Sequence, residues 1–192
     1  VGGCLALVLL LKKCLDKTTH ERPVWDQVTE VTELAELTTL HKTLHIMIRL
    51  THHLDESKVG ITAIGGVEAV IEAMKTFPKC QALQEFACIL MLNLACCSIG
   101  KKRIVESDGM EYILAAINNH LDSALVCKSA CVALSNIIKK ENKEDIKLLI
   151  SLDGATAVAK VREGYPDGDA VQAWMKLAKL IGTEMTSWAD KE

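Results

Sequence analysis

Two stretches of the sequence, ACILMLNLA at residues 87–95 and ACVALSNII at residues 130–138, are nearly the same. Each opens with Ala-Cys and carries an asparagine six positions after that alanine, at Asn93 and Asn136. The two asparagines are 43 residues apart. An apolar stretch that recurs at a fixed distance predicts repeated helical units, because each unit buries its apolar side against the next one.

A second landmark recurs at the same period. Gly66 and Gly109 are also 43 residues apart, and Gly154 follows 45 residues later, each at the start of an apolar segment. The pattern predicts a unit of three helices: a short helix before the glycine, a second helix after it, and a long third helix. The predicted helices are 101–106 and 141–150 before the glycine, 67–77 and 110–118 after it, and 81–96 and 124–140 as the long helices.

The composition favours a single all-α domain. The chain has 192 residues, of which 49% are hydrophobic and only 4% aromatic, and its net charge is −3. Ala, Leu, Ile and Val supply most of the apolar content, which suits helix packing better than a sheet. No linker rich in Gly, Ser or Pro divides the chain. We expect one domain, 1–192, with a partial end repeat at 1–20, a degenerate repeat at 21–63, clearer repeats at 64–106, 107–150 and 151–182, and a C-terminal cap at 183–192.

The apolar run CLALVLLL at residues 4–11 predicts a buried helix. It is about half as long as a membrane span requires, and the lysines follow it, whereas a signal peptide carries its charge first. We therefore expect no membrane span. Because the first residue is Val1 and not Met, we expect the chain to begin inside a longer protein or after processing.

Eight cysteines raise the question of disulfides or metal binding. Cys88 and Cys131 occupy the same position in the two similar helices, which predicts small core residues. No C-x-x-C pair occurs, and Cys127 with Cys131 has no partner at a zinc-site spacing. We expect no metal, no cofactor and a reducing intracellular compartment, with the cytoplasm as the first choice and the nucleus or an organelle as alternatives.

With these glycines and an A-C-x-x-[LM]-x-N run in the long helix, the chain resembles the armadillo-repeat family. The resemblance is good over residues 66–150 and fair over 154–181. It implies an all-α, armadillo-type right-handed α-solenoid of about four three-helix repeats, in which the long third helices line a concave groove. HEAT-like repeats are the alternative fold.

The resemblance also implies that an extended peptide binds along the groove, with Asn93 and Asn136 hydrogen-bonded to its backbone. The alternative is that these asparagines cap or bridge helices within the stack. Nuclear import receptors of the importin-α type have a tryptophan one turn before each asparagine, where this chain has Ile89 and Val132. Because a lysine side chain would find no indole ring there, we do not expect nuclear-localisation signals to bind.

A weaker alignment places Arg49 opposite Asn93, so that His41, His45 and Arg49 lie on one helical face at steps of four. Such a face favours an acidic peptide. The two histidines have no third ligand fixed beside them, so we expect them to face solvent and not to bind a metal.

Other function classes lack their motifs. The sequence has no nucleotide-binding glycine loop, no hydrolase nucleophile motif and no H-E-x-x-H. The basic runs at 101–103 and 139–140 lie at helix ends near acidic residues, which does not favour nucleic-acid binding. We expect a non-enzymatic scaffold that binds a linear peptide or partner protein along the groove. The alternative is a structural subunit fixed in a larger assembly through the solenoid ends and the convex surface.

Overall fold

A computed structural model gives the fold of residues 2–20, 31–138, 142–167 and 171–189, with side chains at 2–16, 37–138, 142–167 and 171–182. Every regular element in these residues is an α-helix, which confirms the all-α prediction. The helices are α1 (Gly2–His20), α2 (Val31–His53), α3 (Asp55–Ala63), α4 (Gly66–Thr76), α5 (Gln81–Leu94), α6 (Ser98–Glu106), α7 (Gly109–Asn119), α8 (Ala124–Ile137), α9 (Lys143–Ser151), α10 (Gly154–Gly164) and α11 (Val171–Ala189).

The predicted helices agree with these bounds to within a few residues, and the long helices are shorter than expected. α5 ends at Leu94, because the chain turns through an extended Cys97 (φ −106°, ψ 152°) into α6. α8 ends at Ile137, because Ile138 is extended. Three parts of the predicted organisation lie outside the described residues: residues 139–141, parts of the predicted 21–63 repeat, and every side chain of the predicted 183–192 cap.

The landmark glycines occupy equivalent corners. Gly66, Gly109 and Gly154 are the first residues of α4, α7 and α10. A Cβ atom added to any of them would collide with the residue five positions earlier in the preceding short helix, which is Ile61, Ile104 and Leu149 respectively. Only a residue without a side chain lets two consecutive helices approach this closely.

The backbone immediately before each corner glycine is left-handed. Gly65, Asp108 and Asp153 have φ values of 85°, 57° and 60°. Glycine adopts this conformation freely, and Asp is one of the few other residues that tolerate it. The Gly-Gly and Asp-Gly pairs therefore make three similar sharp turns.

The helices pack in rows. α2, α5, α8 and α11 pack one against the next, and so do α1, α4, α7 and α10. α3 packs against α6, while α9 packs against α10 and α11. The two long rows enclose one continuous apolar core, which includes Cys88 and Cys131 as predicted, both with no exposed surface.

Two expectations about burial are wrong in part. In the run at residues 4–11, Val8 and Leu11 are buried but Leu5, Leu9 and Leu10 are exposed among the described residues, where α1 packs mainly against α2, α3 and α4. The sequence of α5 is apolar on all sides from Phe86 onward except at Asn93, which predicts a helix that is covered on every face, yet one of its sides stays partly open, at Phe86, Ile89 and Leu92. Among the described helices, none combines the length and the apolar character that crossing a bilayer requires.

Candidate partner-binding surface

The long helices α2 and α5 lie side by side and parallel. Toward their N-terminal ends the rings of His41 and Phe86 are 5.8 Å apart. Toward their C-terminal ends the Asn93 side-chain amide donates to the Ile48 carbonyl (3.3 Å) and to the Thr51 hydroxyl (3.1 Å). Because the contacts follow the same order along both chains, from His41 with Phe86 to Thr51 with Asn93, the two helices run in the same direction.

The pair α5 and α8 is arranged in the same way. At the beginning of α8 the Ser123 hydroxyl donates to Glu85 Oε1 at 2.8 Å. Near its end Asn136 Nδ2 is 3.7 Å from Cys96 Sγ. The beginning of α8 therefore lies near the first half of α5, and its end lies near the residues that follow α5, so these two helices also run in the same direction.

This row of helices has a side that stays partly accessible to solvent, which we call the open face. On each helix it lies opposite the positions that point into the core. The open face consists of His45 and Arg49 on α2, Ile89 on α5, Leu125 and Val132 on α8, and Met175 on α11.

The centre of the open face is apolar. Leu125 is 44% exposed and Met175 is 54% exposed, while Ile89 and Val132 are half-buried. Single exposed apolar residues are common on protein surfaces, but a contiguous group of them marks a site of interaction. Here four such side chains are distributed over three neighbouring helices.

The two asparagines of the repeated stretches have different surroundings. Asn93 is only 6% exposed, and the two hydrogen bonds that its side-chain amide donates bridge α5 to α2. Asn136 is half-buried, and its amide makes a long contact with a sulfur atom, which is a weak acceptor. Asn93 thus occupies the bridging position that the sequence left as an alternative, whereas Asn136 keeps hydrogen-bonding capacity at the surface.

Replacing Asn93 with alanine is expected to lower the free energy of unfolding by about 1–2 kcal/mol, because two hydrogen bonds between helices are lost. The matched variant Asn136→Ala is expected to cost less than about 0.5 kcal/mol, as for an ordinary surface change. Urea unfolding of both variants measures the difference. Equal losses would contradict the assignment of different roles to the two residues.

The upstream part of the open face is polar. His41 is half-buried, and burial lowers the pKa of its imidazole below the usual value. His45 is exposed, with its ring 6.0 Å from that of Phe86, and Arg49 is exposed on the next turn. Within the described residues no cluster of three or more His, Cys, Asp or Glu side chains has the arrangement of a metal site.

Sequence reasoning missed three side chains of this region, Phe86, Leu125 and Met175. Leu125 precedes Val132 by seven residues, or two helical turns, so a helical projection from Val132 would have found it. Met175 belongs to a helix without the asparagine landmark, and nothing in the sequence aligned it with α5 and α8.

A cavity of about 250 Å³ lies elsewhere, between α6, α8 and α9. Its lining mixes lysines and carboxylates, including Asp145, which accepts a 2.7 Å hydrogen bond from Asn142. Burial raises the pKa of the Asp145 carboxyl. Its lining residues are not those of the open face.

Residues of this chain are similar to Protein aardvark of Dictyostelium discoideum, with 29% identity over 117 residues. The alignment covers 55% of this chain and 16% of that protein, so the chain spans less than two thirds of the relative's length. No protein family matches the chain, and no solved structure does either.

Proposed function

We propose that this protein is a non-enzymatic scaffold that binds an extended segment of a partner protein along the open face. The observation that carries the proposal is the apolar centre of that face, where Leu125 and Met175 remain largely exposed beside Ile89 and Val132. Covering these side chains removes apolar surface from water, at about 25 cal/mol for each Å².

The fold that we propose for this role is an armadillo-type right-handed α-solenoid of three-helix repeats. Three equivalent glycine corners, spaced by 43 and 45 residues, support it. The parallel arrangement of α2, α5 and α8 supports it as well, because a solenoid places the same helix of each repeat in one row.

Binding of a peptide backbone is assigned to Asn136 and not to Asn93. An extended segment crossing the face offers backbone N–H and C=O groups that need partners. The Asn136 amide contributes a donor and an acceptor at the surface, while the Asn93 amide is engaged with α2.

A binding role without catalysis agrees with the state of the buried thiols. Burial raises the pKa of Cys88 and of Cys131 to about 12 and that of Cys127 to about 11. A thiol reacts as the thiolate, so these three groups are poor nucleophiles at neutral pH. Of the histidines whose side chains the structure describes, those that face the surface lie on α2, whereas these three thiols lie on α5 and α8.

The experiment is a selection of random 12-residue peptides, displayed on phage, against the immobilised protein. Peptides that are enriched are synthesised, and their affinities are measured by fluorescence polarisation. The double variant Leu125→Gln/Met175→Gln is expected to weaken binding by about tenfold or more, because it makes the centre of the face polar.

The matched control is Ile99→Gln/Leu148→Gln. These side chains are 42% and 37% exposed, and they lie on α6 and α9, outside the open face. The control is expected to bind like the wild type. Peptides that lose affinity for the control and keep it for the open-face variant would refute the proposal.

The alternative role, a subunit fixed in a larger assembly, is favoured by one specific observation. Leu5, Leu9 and Leu10 are exposed together on α1, a helix of the row that also contains α4, α7 and α10. A group of exposed apolar side chains on one helix marks a surface that a partner can cover. An assembly contact through α1 would leave the open face without a role, and peptides selected as above would then bind independently of Leu125 and Met175.

A further inference from the structure

A thiol and an imidazole from two different helices lie side by side at the beginning of α5. Cys80 Sγ is 3.8 Å from His41 Nε2, a distance at which sulfur forms a hydrogen bond. The two residues are 39 positions apart in the sequence, and the packing of α2 against α5 brings them together. A cysteine within hydrogen-bond reach of a basic side chain is the arrangement of an activated nucleophile.

The imidazole of this pair is in a state that accepts a proton. His41 is half-buried, and burial lowers the pKa of its imidazole, so that the ring is neutral at neutral pH. When Nδ1 carries the ring proton, Nε2 offers a lone pair to the thiol proton. The Phe86 ring packs against His41, with 5.8 Å between the ring centres, and restricts the orientation of the imidazole.

The position of Cys80 in the backbone suits a reaction in which sulfur becomes negatively charged. Cys80 is the N-cap residue of α5, a helix of 14 residues, and its backbone is extended (φ −81°, ψ 92°). The first N–H groups of an α-helix have no partner within the helix, and they carry a partial positive charge. They therefore stabilise the charge that develops on the sulfur during a nucleophilic attack.

Cys96 is the informative comparison, because it is exposed whereas Cys80 is half-buried. Its sulfur contacts the Leu92 carbonyl at 3.5 Å and the Asn136 amide at 3.7 Å, and neither group takes up a proton. If accessibility alone determined the rate, Cys96 would react faster than Cys80. The contact between thiol and imidazole predicts the opposite order.

We propose that Cys80 and His41 form a thiol modification site that exchanges with a small disulfide such as oxidised glutathione. This inference is independent of the proposed function. His41 removes the thiol proton, and the Cys80 sulfur attacks one sulfur of the disulfide, whose S–S bond breaks as the new S–S bond forms. The leaving sulfur takes the proton from His41. The products are a mixed disulfide at Cys80 and one molecule of reduced glutathione, so the exchange needs no other oxidant.

The mixed disulfide is expected to persist until an external thiol reduces it. Cys88, the next cysteine along the chain, is eight residues further along α5, which corresponds to about 12 Å along the helix axis. A disulfide requires Cα atoms within about 7 Å of each other. Cys88 is also fully buried. It therefore does not displace the glutathione from Cys80.

The test incubates the whole reduced protein with oxidised glutathione at neutral pH and follows each cysteine by alkylation and fragment mass spectrometry. We expect Cys80 to react at least about tenfold faster than Cys96 in the same sample. His41→Gln replaces the proton acceptor by an amide, and it is expected to slow Cys80 by about tenfold or more while Cys96 changes by less than about twofold. The matched control His52→Gln makes the same change at the exposed end of α2, and it is expected to change both rates by less than about twofold.

A second variant separates the loss of the base from a change in packing. His41→Phe keeps an aromatic ring beside Phe86 but has no proton acceptor, so it is also expected to slow Cys80. Cys88 and Cys131 report on folding in every sample, because they have no exposed surface and react only if the helices separate. A variant in which both remain unmodified is folded.

Three results would overturn the proposal. The first is faster modification of Cys96 than of Cys80 in the wild type, a comparison that is decisive even if both His41 variants unfold. The second is an unchanged rate at Cys80 in a folded His41 variant. The third is an equal loss of rate at Cys80 in His52→Gln, which would show that the imidazole beside the thiol has no particular role.

Discussion

Replacing Gly109 with alanine is expected to lower the free energy of unfolding by about 2–3 kcal/mol. The added Cβ atom would lie 2.7 Å from Ile104 Cγ2 and 2.9 Å from the Ile104 carbonyl oxygen. The carbonyl belongs to the backbone of α6 and cannot move without disturbing that helix. The clash therefore separates α6 from α7 at a corner in the middle of the chain.

The matched control is Gly60→Ala, within α3. No atom lies within 4 Å of the position that its Cβ would occupy. Alanine is favoured over glycine inside a helix by about 0.5–1 kcal/mol, so this variant is expected to be slightly more stable than the wild type. Urea unfolding measures the free energy of unfolding of Gly109→Ala and of Gly60→Ala. If Gly109→Ala were as stable as Gly60→Ala, the close corner would not be a feature of the folded protein.

Stability is expected to fall steeply above pH 9 because of three buried thiols. Burial raises the pKa of Cys88 and Cys131 from 9.0 to about 12, and that of Cys127 to about 11. Between pH 9 and these raised pKa values, the cysteines of the unfolded chain lose their thiol protons, whereas the buried cysteines of the folded chain keep them. Each thiol then lowers the free energy of unfolding by about 1.4 kcal/mol per pH unit, and the three together by about 4 kcal/mol.

The stability that the three protonated thiols contribute to the fold is fully present below pH 9, and it is lost as the pH rises through the pKa values of the folded protein. Because domains are stable by only about 5–15 kcal/mol, we expect alkaline unfolding within one to a few pH units above 9. Urea unfolding at several pH values measures the slope. Cys131→Ala is expected to reduce it by about a third, whereas Cys96→Ala, at an exposed position, is the matched control. An unchanged slope in Cys131→Ala would show that its thiol does not stay protonated in the fold.

Several elements of the fold follow from short-range patterns in the sequence. The Gly66, Gly109 and Gly154 landmarks located the beginnings of α4, α7 and α10 to within one residue, because only a residue without a side chain lets two consecutive helices approach this closely. The shared position of Cys88 and Cys131 located two core residues, because equivalent positions of repeated helices have equivalent surroundings. Helix ends were less accurate, as at Leu94, where the next helix decides the turn.

The candidate site was predicted only in part. Arg49, His45, Ile89 and Val132 are exposed or half-buried on the open face, where the sequence placed them. Their role in binding stays a prediction. Asn93 and Asn136 occupy the same position in the two repeated stretches, and nothing in that position shows that Asn93 makes two close hydrogen bonds to the preceding helix of the row whereas Asn136 makes only a long contact with a sulfur atom.

The sequence by itself determined the helical class of this protein, the period of its units and the corners between them, because these depend on residues a few positions apart. Only the tertiary structure decided which side of α5 stays open. The helices α2, α5, α8 and α11 begin 43 to 50 residues apart, and packing alone makes them neighbours. The grouping of Ile89, Val132 and Met175 on one face of the row is a property of that packing.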